Sequence, residues 1–81
     1  MNKVLYISPL TGNMKYMIDA EGVKYHAQRD QAVLKIRELA KDNKRRSKFE
    51  IDIEMNKQFY VIQRALRMIK KNGYYSTPVI E

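Results

Sequence analysis

The sequence predicts an α+β fold: a small, mostly antiparallel sheet with two helices packed on one face. Three observations lead there. Apolar residues alternate with polar ones in short runs near the start of the chain and again at 49–54, the period of a half-buried strand. Two longer stretches, 30–42 and 56–72, carry apolar residues at spacings of three and four, the period of an amphipathic helix. Between them stand Gly, Pro and Asn, the residues that end elements. The expected order is β-β-β-α-β-α, with a possible last edge strand.

Residues 3–8, KVLYIS, are β-branched and aromatic and read as a strand, which Pro9 ends because proline donates no ladder hydrogen bond. Thr11-Gly12-Asn13 is turn chemistry. Residues 14–19 and 23–26 flank Ala20-Glu21-Gly22 and read as a β-hairpin. Met14, Tyr16 and Ile18 fall on one face of it, with Lys15, Met17 and Asp19 on the other. The first helix, 30–42, takes Asp30 as N-cap or first-turn acid and Asn43 as its stop. Ala32, Val33, Ile36, Leu39 and Ala40 form its buried stripe.

Residues 49–54, FEIDIE, alternate strictly and read as a strand, with Glu50, Asp52 and Glu54 in a row on the outer face. The second helix, 56–72, starts at Asn56 and stops at Gly73. Met55, Phe59, Ile62, Leu66 and Ile69 make its core stripe. Residues 74–80 form a short last strand, which Pro78 confines to a sheet edge.

Eighty-one residues make a single domain, 1–81, of marginal burial capacity. Homodimerisation is a natural aid at this size. The chain has no cysteine, so disulfides, thiolate zinc sites and a cysteine nucleophile are excluded. The opening residues MNKVLYISPLTGN lack the long apolar core and cleavage site of a secretory signal. No apolar run approaches a membrane span. A cytoplasmic protein, with no membrane partner, is expected.

Charge is the functional signal. The chain carries +7. In 35–48, KIRELAKDNKRRSK, seven Lys and Arg face only Glu38 and Asp42, so this segment alone carries +5. Such concentration suggests a polyanionic partner, because neutralising phosphates releases counterions. Arg37, Lys41, Lys44, Arg45, Arg46 and Lys48 are the first set of candidate phosphate contacts. A partner protein or plain solubility are the competing readings. Tyr60, Arg64, Arg67 and Lys71 recur at spacings of 4, 3 and 4 and form a second set, with no acid between Asn56 and Tyr75. Like charges at helical spacing repel weakly, and an anion covering them relieves that. The expectation is that both sets join in one surface.

Other constellations carry less. The acids Glu50, Asp52 and Glu54 read first as partners for the basic loop, then as a partner-facing surface, and last as a metal site, because one strand rarely supplies ligands from several directions. The tyrosines read as packing, with Tyr74 and Tyr75 the exposed pair if any stack on bases. His26 has no catalytic companion and reads as structural. No Gly-rich phosphate loop, zinc spacing or acid–base pair is present, so the expectation is a protein that is not an enzyme, with no cofactor and no metal. RNA is preferred over DNA as the partner.

The texture of the whole chain, short, without Cys or Trp and rich in Lys, Asn, Ile, Met and Tyr, is illustrated by MNKVLYIS and QFYVIQRALRMIKKNGYY. In this it resembles the small basic accessory proteins of large lytic bacteriophages. The resemblance is compositional and carries over no functional residue. It implies host takeover or counter-defence, for instance an antitoxin-like inhibitor acting on a host endoribonuclease together with RNA. The alternative is an inhibitor that docks directly on an acidic protein without nucleic acid.

Overall fold

The computed structural model describes residues 2–12, 14–42 and 46–80. Strands β1 (Lys3–Ile7) and β2 (Lys15–Asp19) pair antiparallel, with Tyr6 opposite Tyr16 and Val4 opposite Ile18. A 3₁₀ turn, Ala20–Gly22, leads directly into helix α1 (Val23–Lys41). Helix α2 (Lys48–Asn72) returns alongside it, and β3 (Thr77–Pro78) closes the sheet in the order β1-β2-β3. The result is an α+β fold. One sheet face, carrying Tyr6, Ser8 and Ile18, is buried against the helices. Leu5 and Ile7 project from the other face and are exposed.

The last strand forms as an edge strand, but over Thr77–Pro78 rather than the expected 74–80. Pro78 sits on the sheet edge opposite Tyr16, where its missing N–H costs no ladder bond. Val79 extends the pairing by donating to the Lys15 carbonyl at 2.9 Å. Gly73 ends α2 in the left-handed region at φ 71°, the conformation glycine adopts without steric cost.

Three elements differ from expectation. First, 49–54 is not a strand. It is the start of α2, which runs unbroken for 25 residues. Ser47 is the N-cap, and its side chain accepts from the Glu50 backbone N–H at 3.2 Å. Ser47-Lys48-Phe49-Glu50 is the S-x-x-E pattern of a capping box, and no Gly or Pro stands between Glu50 and Asn56 to stop a helix once begun. Six alternating residues were too few to outweigh that start signal.

Second, 23–26 is not the return strand of a hairpin. It is the first turn of α1, which begins seven residues earlier than expected. Gly22 is there for close approach rather than for a hairpin turn. A Cβ at this position would lie 2.5 Å from the Tyr74 Cβ, inside contact distance. The segment after α2 therefore packs directly on the entry to α1. Tyr25 stacks on Tyr74 with ring centroids 6.0 Å apart. His26 donates from Nε2 to the Tyr74 carbonyl. Asp30, read as a cap, lies inside α1 and is buried. The expected stop Asn43 lies outside the described residues.

Third, the buried side of α2 is rotated from the expected stripe. Ala65 and Ile69 are buried, while Phe59 and Leu66 are largely exposed. On α1 the buried residues are His26, Asp30 and Ala32, and Ala40 is exposed. Among the described residues, none between Val33 and Arg64 is buried. The core is thus confined to the end of the helix pair that meets the sheet, and the far end is held by half-buried contacts.

Candidate nucleic-acid interface

With 49–54 helical, α2 presents one long outer face. At about 100° per residue, Phe49, Ile53, Tyr60, Arg64, Arg67 and Lys71 fall within about 60° of one line. The buried Ala65 and Ile69 lie on the opposite side. The line is aromatic and aliphatic in its first half. Phe49 is 72% exposed, Ile53 40% and Tyr60 66%, and a shallow groove lined by Ile53, Asn56, Lys57, Tyr60 and Val61 runs along it. Its second half is cationic, and Arg64, Arg67 and Lys71 are all exposed.

Helix stability accounts for only part of this charge. Lys70 and Lys71 occupy the last turn of α2, where positive charge interacts favourably with the helix dipole. Arg64 and Arg67 precede that turn, and helix stability gives no comparable reason for them. No acid follows Glu54 within α2. Lys57 does have a partner, an ion pair with Glu54 at 3.3 Å.

The first set of candidates sits elsewhere. Arg37 and Lys41 are exposed on the last turns of α1, and Arg46 and Lys48 are exposed at the entry to α2. Lys44 and Arg45 lie outside the described residues. Because α2 is one continuous helix, Lys48 stands about 24 Å from Arg64 and about 35 Å from Lys71 along its axis, at 1.5 Å per residue. The described members of the two sets therefore do not meet on a single chain, contrary to the expected single surface. The loop end is also of mixed charge: Lys35 and Arg46 share a groove with Glu38, Asp42 and Glu54. The acid-free surface is the second half of α2.

The expected row of acids dissolves with the strand. On a helix Glu50 and Glu54 share a side and Asp52 points away from both. Among the described residues no three acidic, His or Cys side chains gather in a way that could hold a metal ion. No helix among them is long and apolar enough to cross a membrane.

One cluster was not expected from the sequence. Asp30 is 1% exposed. Its Oδ2 accepts from the Tyr6 hydroxyl at 2.8 Å and from Ser8 Oγ at 3.1 Å. Its Oδ1 accepts from Arg29 Nε at 3.1 Å. Both oxygens are occupied from within the chain, so the cluster ties β1 to α1. Burial pushes the Tyr6 hydroxyl well above its ordinary 10, and the bond and charge of Asp30 add to that. His26 is structural in the same sense, since it anchors the backbone of Tyr74. Of the expected exposed tyrosine pair, Tyr75 is exposed, but Tyr74 is packed on Gly22 and Tyr25. The signals for the cluster in the sequence were slight: a Tyr and a Ser two apart on a strand, and an Asp between apolar helix positions.

No protein-family model, no curated protein and no solved structure matches this chain.

Proposed function

We propose that this chain is a non-enzymatic RNA-binding protein of the cytoplasm, whose phosphate-binding surface is the second half of α2. The observation that carries this reading is the acid-free row of exposed cations Arg64, Arg67 and Lys71, continued towards the helix start by the exposed ring of Tyr60. Spaced cations suit a phosphate backbone. An exposed aromatic beside them suits an unpaired base, and such bases are offered more often by RNA than by duplex DNA. Arg37, Lys41, Arg46 and Lys48 form a second cationic end. The biological setting proposed is counter-defence, with the chain acting as an antitoxin-like inhibitor of a host endoribonuclease in the presence of RNA.

The test is fluorescence anisotropy with a labelled single-stranded RNA across a salt series. Three phosphate contacts on a single strand give a slope near −2 in log affinity against log salt, about 20-fold weaker binding at 200 mM than at 50 mM. Reversing Arg64 and Arg67 together to Glu removes most of the binding. Binding that is unchanged by that double variant, or indifferent to salt, overturns the reading. The alternative is direct docking on an acidic protein. The exposed Phe59 and Leu66 beside the cations favour it, and a stoichiometric protein complex that survives nuclease treatment identifies it.

A further inference from the structure

The molecule exposes more surface than its mass warrants. A compact 9.6 kDa chain is expected to expose about 5,100 Å²; this one exposes 6307 Å², an excess of about 1,200 Å². Its Cα atoms extend over 46 × 28 × 12 Å, and its radius of gyration is 14.6 Å against about 12 Å for a compact domain of this length. A standard protein interface buries about 800 Å² per partner. The excess is therefore of the size that one docked partner covers.

Its location is also given. The half of the helix pair far from the sheet has no buried residue among those described, yet it presents Phe49, Ile53 and Tyr60 in one exposed line. The charges on α2 are polarised along its length. Glu50, Asp52 and Glu54 lie in its first seven residues, and only cations follow. A second α2 running the opposite way brings the acidic beginning of each copy beside the stretch of the other that carries Lys57. A parallel one sets like beside like.

We propose that a second copy of this chain docks antiparallel along the outer face of α2, with the two-fold axis crossing that face midway between Ile53 and Asn56. In this arrangement Phe49 of each copy meets Tyr60 of the other, and the two Ile53 side chains lie close to the axis. Asp52 of each copy comes within reach of Lys57 of the other. The apolar half of the line is buried in the contact, Tyr60 included, so the dimer offers a polyanion its cations, and Tyr60 is open to a base only in the single chain. Arg67 and Lys71 stay outside it, beyond the other copy's helix start. That start carries Arg46 and Lys48, so the two cationic sets that one chain keeps about 24–35 Å apart come together across the dimer, one patch at each end. This last step rests on the RNA-binding reading above; the docking itself does not. The clustered cations repel one another, so the dimer and a polyanion stabilise each other by linkage.

Sedimentation equilibrium at 300 mM salt, without nucleic acid, is the first test. The expected result is a species of about 19 kDa, twice the chain mass. Changing Ile53 and Tyr60 together to Glu weakens dimerisation at least about 30-fold, with far-UV circular dichroism confirming that the variant is folded. The absence of native cysteine permits a second test that needs no loss of stability. Asn56→Cys should form an inter-copy disulfide rapidly, and Phe49→Cys mixed with Tyr60→Cys should form the mixed disulfide in preference to either homodisulfide. A control cysteine at the exposed Gln28 should not cross-link. A monomer at 100 μM overturns the proposal, and so does cross-linking at Asn56 no faster than at Gln28. A dimer that fails to bind RNA leaves the docking intact and refutes the function; RNA binding by a strict monomer does the reverse.

Discussion

The two ends of the helix pair are built on different principles. At the sheet end, polar groups are buried and closely fitted: Asp30 takes three donors, His26 holds the Tyr74 backbone, and Gly22 admits the Tyr74 side chain, while among the described residues Asp19 Oδ1 is the one buried side-chain oxygen without a partner. At the loop end nothing described is buried, large apolar side chains face outward, and cations crowd the connection. A buried, matched network specifies one conformation, because any misfit leaves an unpaired group in a low-dielectric interior. An exposed, mixed surface specifies no internal conformation and is available to partners. The difference teaches that stability and recognition are separated here by length along the same two helices.

The comparison can be broken most severely at Asp30. Asp30→Ala strands the Tyr6 and Ser8 hydroxyls in a buried site and is expected to cost about 3 kcal/mol, read as a fall of more than 10 °C in the thermal midpoint. Gly22→Ala forces Tyr74 away from the entry to α1, because the clash falls on the ring's root rather than its tip. About 2 kcal/mol is expected, with loss of near-ultraviolet tyrosine signal. At the loop end the largest comparable change is Ser47→Ala. It removes the cap of α2 and costs about 1 kcal/mol, seen as faster amide hydrogen exchange over 48–53 with little change at 65–69. The smallest effect is expected at Arg37→Glu, within about 0.5 kcal/mol in stability. If the loop-end changes moved the midpoint as much as Asp30→Ala, the separation of roles would be wrong.

Alkaline pH sharpens the same contrast. The folded chain holds the Tyr6 proton more tightly than the unfolded chain, whose tyrosine titrates near 10. Stability from this group is therefore complete below about pH 10 and is lost as pH rises above it. Tyr6→Phe lowers stability at neutral pH by removing one donor to Asp30, and it should flatten the decline above pH 10. An unaltered alkaline slope in that variant would show that the junction does not titrate through Tyr6.

How far the sequence spoke depended on which interactions decide each element. The fold class, β1, β2, the edge position of Pro78 and the Gly73 stop follow from local chemistry, and local chemistry is legible. The segment 49–54 was misread because two local signals compete there: Phe49, Ile51 and Ile53 alternate as in a strand, while Ser47 and Glu50 form a helix start. The start signal prevails because it continues into a further eighteen residues of helix. Gly22 and Asp30 were not legible. Their roles come from Tyr74, Tyr6 and Ser8, which reach them only after the chain has folded back. The cations Arg64, Arg67 and Lys71 were placed correctly on an outer face, since helical spacing alone fixes that. Phe49 and Ile53 joined the same face only once their segment proved helical.

The sheet is sealed by a pairing between Tyr16 and Pro78, 62 positions apart (78 against 16), whereas β1 with β2 and α1 with α2 are neighbours in the chain. Long-range closure carries an entropic cost that local pairing does not. The two hairpins can therefore assemble early and independently, and β3 joins last, once α2 has brought Tyr74 back to Gly22. Folding of this chain should show its slowest step at that closure, and the exposed edge of β2 is the part most open to wrong pairing while it waits.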